Sequence, residues 1–390
     1  MSVSLSPDWL FEPGLQRLMA VLTKGGHRAL VVGGAVRNAV MGLAPGDIDI
    51  STDARPERVQ ELAEAAGLRQ VPTGIEHGTV TVIVDGEAYE ITTFRRDVAT
   101  DGRRAVVEFS EDMAEDALRR DFTMNALYLE ADGTLVDPLQ GLDDALGRRV
   151  RFIEDPEQRI REDYLRILRF FRFNAWYGQE IDPEGLAACA ALAEGLETLS
   201  RERVGAEVLK LLAAPDPAPA MASFAATGGL MRILPGADVT ALPVLISLEA
   251  GRRPDALRRL ALIGGEDVAK SLRLSRAGAG NLALIRTAAL EDTPLAEVSW
   301  RHGAEIAWDA ALVRAALLSM PLAPQTEAEI AKGAAAKLPV TAADLMPALQ
   351  GAALGAALKR IEKDWLASGL SKAKDQLLAE GAARRGDKTA

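Results

Sequence analysis

Two aspartates two positions apart, Asp47 and Asp49, are the residues whose types and spacing most clearly predict chemistry. Residues i and i+2 of a β-strand point to the same face, so segment 46–50 directs both carboxylates to one side. Adjacent carboxylates repel each other, and a bound cation relieves that repulsion. Hard ions such as Mg²⁺ prefer oxygen ligands and often keep waters and substrate phosphates as further ligands. The pair therefore predicts a metal site, although an isolated Asp-x-Asp is usually a surface loop.

A glycine pair and an arginine upstream strengthen this interpretation. Gly33 and Gly34 allow backbone N–H groups to approach a phosphate closely, and Arg37 is expected at the start of the next helix. Together with the aspartates, they predict a metal-dependent site that acts on a nucleoside triphosphate. Glu90 alternates with apolar neighbours in a predicted strand and is the candidate third carboxylate. Its alternative role is an ordinary exposed strand residue.

The cluster Arg119, Arg120 and Asp121 adds two guanidinium groups beside a carboxylate. Arginines can bind triphosphate oxygens and the carboxylate can bind a ribose hydroxyl. The alternative is a helix end with solvated arginines and an aspartate cap.

A third cluster falls on one predicted helix at roughly 156–174. Asp163 and Arg166 are three residues apart and are expected to share a face, which Arg169 and Arg172 continue. A carboxylate beside a guanidinium offers an acceptor and a donor, which can match the Watson–Crick edge of a base. The alternative is a helix joined by ion pairs such as Glu162–Arg166.

Hydrophobic patterns predict a small mixed α/β head followed by a long helical body. Stretch 95–104 is polar and predicts a mobile loop, and no strand pattern recurs after about residue 138. Predicted helices are 14–28, 35–42 and 56–66, and predicted strands are 29–32, 79–84, 88–93, 126–129 and 134–136.

Composition excludes several classes of protein. The 390 residues carry a net charge of −11, so a nucleic-acid partner requires a local basic surface. The three histidines, His27, His77 and His302, lack the spacing of a zinc or His-Asp hydrolase site. One cysteine, Cys189, precludes an intrachain disulfide. Without a secretory signal or a membrane-length apolar run, we expect a cytoplasmic protein with no membrane partner.

The ordered motifs resemble those of the class II tRNA nucleotidyltransferase and bacterial poly(A) polymerase family. The matching stretches are VVGGAVRNAVMGLAPGDIDIST, HGTVTVIV, YEITTFR, RRDFTMNAL, DPLQGLDDALGRRVR, REDYLRILRFFRF and LSRERVGAEVLKLL, from residue 31 to 212, with a weaker match near the C-terminus. The resemblance implies an α+β fold: a nucleotidyltransferase head (1–140), a helical neck that recognises the base (141–210) and a helical body and tail that bind tRNA (211–390).

The resemblance also implies roles for the site residues. Asp47 and Asp49 would bind Mg²⁺. Glu90 is a candidate catalytic carboxylate from its strand position alone. The base edge would be read by Asp163 and Arg166, and stretch 95–104 would correspond to a loop that helps to switch from C to A addition. The family usually has Asp where this chain has Asn38. The nucleotide-binding set is Gly33, Gly34, Arg37, Arg119, Arg120, Asp121, Asp163, Arg166, Arg169 and Arg172.

The leading expectation is an enzyme that adds CCA to the 3′ end of tRNA from CTP and ATP. A poly(A) polymerase, a partial CC- or A-adding enzyme and a non-catalytic RNA-binding scaffold remain alternatives. The mixed charge of the segment from Lys359 favours CCA addition over poly(A) synthesis. We expect no DNA partner, and the sequence does not predict an oligomeric state. Candidate tRNA contacts in the body and tail are Arg273, Arg276, Lys359, Arg360 and Lys363.

Overall fold

A computed structural model of the chain describes residues 3–74, 78–101 and 104–379. The chain divides into two compact units, Met1–Ile233 and Leu234–Ala390. His77 lies outside the described residues, as does the tip of predicted loop 95–104 at positions 102 and 103. The predicted division into head, neck, and body with tail stays a prediction.

The first unit contains all the described strands. The main sheet is mixed and has the strand order β3-β4-β5-β2-β1-β8-β9, with β5, β2, β1 and β8 in its middle. In this sheet β2 and β5 are parallel, and the other neighbouring strands are antiparallel. A separate hairpin pairs β6 with β7. The strands are β1 Leu30–Val32, β2 Asp49–Thr52, β3 Arg69–Gly74, β4 Thr79–Val84, β5 Glu87–Thr93, β6 Arg95–Asp101, β7 Arg104–Phe109, β8 Tyr128–Leu129 and β9 Leu135–Val136.

The helices of this unit flank the sheet and then continue the chain beyond it. The amphipathic face of the first helix buries Leu15, Leu18, Met19 and Leu22, as its spacing predicts. The helices are α1 Pro13–Lys24, α2 Gly34–Val40, α3 Pro56–Ala65, α4 Met113–Leu118, α5 Gly141–Leu146, α6 Pro156–Glu162, α7 Leu165–Tyr177, α8 Pro183–Ala191, α9 Arg201–Leu212, α10 Ala218–Ala226 and α11 Gly229–Ile233.

The prediction of one helix over 156–174 was wrong. Asp163 between α6 and α7 has extended backbone angles, φ −155° and ψ 104°. Its side chain accepts a hydrogen bond from the Leu165 backbone N–H at 3.1 Å. Short polar side chains that bond nearby backbone groups compete with the helix, which explains the break.

The prediction of a mobile loop at 95–104 was also wrong for its described part. β6 and β7 form an antiparallel pair whose register begins at Arg95 opposite Phe109. The paired segment extends past the end of the predicted loop, to Phe109. Strand β3, likewise not predicted, pairs with β4 at the edge of the sheet.

The second unit is helical throughout its described part. Its interior holds two buried arginines, Arg258 and Arg259, which pair with Glu249, while Arg258 also pairs with Asp309. Its helices are α12 Leu242–Leu248, α13 Ala256–Ile263, α14 Val268–Ser271, α15 Arg276–Leu290, α16 Leu295–His302, α17 Ala304–Leu317, α18 Thr326–Ala335 and α19 Gly351–Ala367. The expected mixed α+β fold, with a small sheet and a helical remainder, is confirmed. No described helix has both the length and the apolar character needed to cross a membrane.

Candidate active site

A cavity of about 690 Å³ in the first unit brings the predicted nucleotide-binding residues together. It lies between the aspartates at the N-terminal end of β2, here called the acidic edge, and helix α7. Its wall includes all ten of them, Gly33, Gly34, Arg37, Arg119, Arg120, Asp121, Asp163, Arg166, Arg169 and Arg172, together with Asp47 and Asp49.

The glycine pair forms the turn between β1 and α2. Gly33 has φ +73° and ψ −121°, a conformation that residues with a side chain rarely adopt. A Cβ at this position would also lie 3.4 Å from a guanidinium nitrogen of Arg120. Glycine is therefore required by the turn, and Arg120 packs directly against it.

Arg37 on α2 is held by neutral partners. Its guanidinium is 5% exposed and donates to Asn125 Oδ1 at 2.6 Å and to Asn38 Oδ1 at 2.9 and 3.2 Å. The same group lies 3.9 Å from the centre of the Tyr177 ring, close enough for a cation–π contact. Burial lowers the pKa of this guanidinium below its usual value, although it stays charged at neutral pH. Partners that carry no formal charge leave this positive charge available to an anion.

Arg119 and Arg120 follow α4 and share one buried carboxylate. Asp116 is 0% exposed, and its two oxygens accept from Arg119 Nε at 2.8 Å and from an Arg120 terminal nitrogen at 3.0 Å. The Tyr128 hydroxyl also donates to Asp116, at 2.9 Å. Burial by itself would raise the Asp116 pKa, but the two arginines outweigh it, and the pKa lies below its usual value. Asp116 therefore fixes the direction of both arginines.

Asp121 is buried and already has several hydrogen-bond donors. Arg169 donates to its Oδ2 from two nitrogens, at 2.8 and 2.5 Å, and Oδ1 accepts from Asn125 Nδ2 and from the Phe122 backbone N–H, both at 2.9 Å. Burial tends to raise its pKa, but Arg169 and the hydrogen bonds lower it below the usual range. In this state Asp121 orients Arg169, so a ribose contact would require it to share its oxygens.

Asp163 and Arg166 both line the cavity, but they do not pair with each other as one helix face would predict. Asp163 Oδ2 accepts from Arg203 at 2.6 Å, and Arg166 donates to Glu162 at 2.5 Å. The alternative ion pair Glu162–Arg166 is thus present. The helix is interrupted between α6 and α7. Asp163 therefore reaches the cavity from the connection, and Arg166 reaches it from α7.

Arg172 on α7 completes the basic wall. Its Nε donates to Glu207 of α9 at 2.6 Å, and its guanidinium lies 4.4 Å from the centre of the Phe173 ring. Glu207 is itself buried. The arginine is therefore anchored by a charge and an aromatic face from two different helices.

The carboxylates form the opposite, acidic edge. Asp47 and Asp49 are exposed, Ile48 is half-buried and Ile50 is buried, as the alternation predicts. Glu90 lies beside Asp49 in the register of β2 and β5. It lines a neighbouring cleft of about 960 Å³ that also includes Asp47 and Asp49, rather than the arginine-lined cavity.

Electrostatics at this edge favour a cation. Partial desolvation raises the pKa of the Asp49 carboxyl, Glu90 and Asp47 raise it further, and Arg120 opposes them. Oxygen donors with mutual repulsion are the ligand chemistry of Mg²⁺. Among the described residues, no three acidic, histidine or cysteine side chains form a ready-made metal cluster. The residues therefore fit an ion that takes part of its ligand set from water and phosphate.

Several residues of this site were not predicted from the sequence. Most of them contact partners far away in the chain, whereas Asp116 lies three and four residues before Arg119 and Arg120, a helical spacing that could have indicated it. Tyr177 lies one helical turn beyond Phe173 on α7, past the end of the predicted helix at 174. The set is Asp116, Tyr128, Asn125, Tyr177, Arg203 and Glu207.

Comparison with known proteins decides the kind of domain. Residues 29–151 match the poly A polymerase head domain, and residues 178–240 match a region described as the probable RNA and SrmB-binding site of polymerase A. The chain therefore contains a region similar to the poly A polymerase head domain. The resemblance predicted from the motifs is confirmed.

Relatives of this head domain are named after CCA addition. The human mitochondrial CCA tRNA nucleotidyltransferase 1 is 45% identical over 216 residues, which are 53% of this chain and 49% of that protein. The CCA-adding enzyme of Levilactobacillus brevis is 41% identical over 213 residues, 54% of this chain and 53% of that protein. The chain thus matches about half the length of these curated relatives.

A solved structure resembles the chain over almost its whole length. The CCA-adding enzyme of Bacillus stearothermophilus in complex with CTP superimposes with a TM-score of 0.79 at 29% identity, covering 97% of this chain and 100% of that one. The Thermotoga maritima CCA-adding enzyme complexed with tRNA, at 18% identity and a TM-score of 0.70, shows likeness of fold alone.

Proposed function

We propose that this chain transfers nucleotides from CTP and ATP to the 3′ end of tRNA without a template, adding or repairing the CCA end. The observation that carries the proposal is the single cavity that joins the two aspartates to the arginine wall. Its named relatives act in CCA addition, and the similar solved structure contains CTP. These names supply the substrates.

In the proposed reaction, the terminal 3′-hydroxyl oxygen bonds to the α-phosphorus of the nucleotide as pyrophosphate leaves. Asp47 and Asp49 would hold Mg²⁺, with Glu90 beside them. The ion, when bound, activates the hydroxyl and neutralises charge on the phosphates. Arg37, Arg119 and Arg120 supply guanidinium groups for the triphosphate oxygens, since their charges face the cavity and their directions are fixed by hydrogen bonds.

Base choice is assigned to the neck side of the cavity. Asp163 offers an acceptor and Arg166 offers donors, and both are oriented by other groups on α6, α7 and α9. Asp121 orients Arg169 and Glu207 orients Arg172, and both arginines line the same cavity. A rigid pair of this kind can select a base edge by its hydrogen-bond pattern rather than by its size.

Binding of tRNA is assigned to the helical segments beyond the head. In the second unit, the predicted contacts are all exposed: Arg273, Arg276, Lys359, Arg360 and Lys363. If they contact phosphates, tRNA affinity should fall as salt rises in a filter-binding titration. Affinity that does not change with salt would contradict phosphate contact. The proposed compartment is the cytoplasm, supported by a single, buried cysteine, Cys189.

The test uses three tRNA transcripts that end before CCA, after C and after CC. The protein and Mg²⁺ are incubated with CTP and ATP, separately and together, and products are resolved at single-nucleotide length. Ordered addition of C, C and A that then stops supports the proposal. Addition of CC or A alone would make it a partial enzyme, and long A tracts would make it a poly(A) polymerase. Bound tRNA without incorporation would support a scaffold.

A further inference from the structure

Asn38 makes hydrogen bonds from both ends of its side-chain amide, and the two ends reach different parts of the site. Its Oδ1 accepts from Arg37 Nε and from an Arg37 terminal nitrogen, at 3.2 and 2.9 Å. Its Nδ2 donates to the backbone carbonyl of Ala44 at 2.7 Å and of Pro45 at 3.3 Å. Guanidinium donors on one end and carbonyl acceptors on the other allow only one orientation of the amide.

The segment that Asn38 holds leads directly to the acidic edge. Gly42 and Gly46 both have positive φ, +68° and +75°, so the chain turns sharply on each side of positions 43–45. The Asn38 backbone carbonyl also accepts from the Leu43 N–H at 2.8 Å. Asp47 follows the second glycine. The hydrogen bonds from the Asn38 side chain to these two carbonyls therefore hold the chain just before the first aspartate.

We propose that Asn38 is a positioning residue that couples the triphosphate-binding arginine to the metal-binding loop. Its carbonyl oxygen fixes Arg37, and its amide nitrogen fixes positions 44 and 45 and hence Asp47. The inference rests on the proposed function for its consequences in catalysis. The coupling itself concerns only the protein and can be measured without turnover.

An aspartate at this position would not preserve the coupling. A carboxylate can still accept from Arg37, and as an ion pair it would bind that group more strongly. It has no donor for the carbonyls of Ala44 and Pro45, and an oxygen would face an oxygen where the hydrogen bond of 2.7 Å now lies. Although the family usually has Asp here, Asn38→Asp is therefore expected to impair this chain rather than improve it.

The experiment compares the full-length wild type with N38D and N38A. Hydrogen exchange of the metal-free protein measures protection of the peptide that contains residues 43–50. Mn²⁺ binding, followed by electron paramagnetic resonance, measures the metal site without catalysis. For N38D we expect faster exchange in this peptide and Mn²⁺ binding weakened about three- to tenfold, the effect of losing one or two neutral hydrogen bonds. N38A should show both changes and, in addition, weaker CTP binding.

A matched control makes the same chemical change elsewhere. Asn281 is exposed on α15 in the second unit, so Asn281→Asp adds the same charge far from the loop in sequence. It should leave exchange at 43–50 and Mn²⁺ affinity unchanged. Exchange and Mn²⁺ affinity of N38D equal to wild type would overturn the inference.

Activity then separates the two proposals. If wild-type protein adds no nucleotide but N38D still loosens the loop and weakens Mn²⁺ binding, the proposed function fails and the coupling stands. If wild type is active, N38D should need several-fold more Mg²⁺ for half-maximal rate, with a smaller change in the KM for CTP at saturating Mg²⁺. An N38D enzyme whose defect lies in KM alone would contradict the role assigned to the amide nitrogen.

Discussion

The acidic edge and the arginine wall of the same cavity hold their charges in different ways. The carboxylates that orient the wall arginines, here called the wall carboxylates, are Asp116 and Asp121. They are 0% and 7% exposed, and arginine partners keep their pKa values below the usual range. At the edge, Asp49 is exposed to solvent, and Glu90 and Asp47 add to the effect of partial desolvation to raise its pKa. The wall is electrostatically satisfied, whereas the carboxylates at the edge still repel each other, and Arg120 offsets that repulsion only in part.

We propose that this difference separates groups that position from groups that react. The wall carboxylates stabilise the fold and orient arginines whose free faces line the cavity. The edge carboxylates weaken the fold slightly and gain from a cation. The buried pairs of Arg258 and Arg259 in the second unit show that paired arginines alone do not indicate a site, since those are sealed from solvent. What marks the first unit is arginines that are paired and also face a cavity.

The largest effect should come from removing an edge carboxylate. We expect Asp47→Ala to lower single-turnover CMP incorporation by roughly 10³-fold or more, because several kcal/mol of transition-state stabilisation are lost with the metal. Affinity for tRNA and the melting temperature should change little. Asp143→Ala, an exposed aspartate on α5, is the control. Incorporation by Asp47→Ala within tenfold of wild type would show that the edge is not the metal site.

Next in size is the loss of a wall carboxylate. Asp116→Asn leaves two arginines beside a buried neutral amide, and we expect the free energy of unfolding to fall by about 3 kcal/mol at pH 7. Asp143→Asn, with the same change on the surface, should have almost no effect. Because the Asp116 pKa is lowered from its ordinary 3.8, its contribution is present above that pH and is lost as the pH falls through the lower folded value. Denaturant unfolding at several pH values measures this difference, and equal stability of Asp116→Asn at pH 7 would refute the role of the wall carboxylate.

A smaller effect is expected at the aromatic face of Arg37. Tyr177→Leu removes the ring that lies 3.9 Å from the guanidinium, so the KM for CTP should rise about three- to tenfold. Tyr177→Phe keeps the ring and should remain within about twofold of wild type on the same reasoning. Steady-state kinetics at saturating tRNA measure both variants. A KM for Tyr177→Leu equal to that of Tyr177→Phe would show that the ring does not orient Arg37.

The smallest effect has the opposite sign. The raised pKa of Asp49 means that its favourable contribution is complete below its ordinary pKa of 3.8 and is lost as the pH rises through the higher folded value. At pH 7 its ionised form therefore opposes folding, and Asp49→Asn should raise the melting temperature of the metal-free protein by roughly 1–3 °C.

Calorimetry with and without Mg²⁺ checks this prediction. Added Mg²⁺ should stabilise the wild type more than Asp49→Asn, because the variant has lost the charge that the ion neutralises. Protonation of Asp49 should also lower wild-type activity as the pH drops through the raised Asp49 pKa. A lower melting temperature for Asp49→Asn without metal would show that the edge is electrostatically satisfied after all.

The sequence by itself determined the parts of the site that depend on local periodicity and residue type. The spacing of two predicts that Asp47 and Asp49 face outward above buried Ile50, although only Asp49 lies in β2 and Asp47 precedes that strand. The glycine pair identifies the turn before Arg37. The amphipathic patterns gave the main helices and central strands. The arginines of the wall could be named as candidates from the sequence, because guanidinium groups beside a carboxylate can bind a nucleotide, but solvated or ion-paired arginines remained the alternative.

Tertiary structure decided which groups are partners. Asp163 pairs with Arg203, forty residues away, and its own capping bond breaks the helix that periodicity predicts. Tyr128 donates to Asp116 from twelve residues away, and Tyr177 reaches Arg37 from α7. Such contacts join residues that no short-range pattern relates, since the energy of a buried charge depends on every group that folding brings around it. The same reason explains why Asn38 could be recognised as an unusual residue from the sequence, but not as a link between Arg37 and the loop before Asp47.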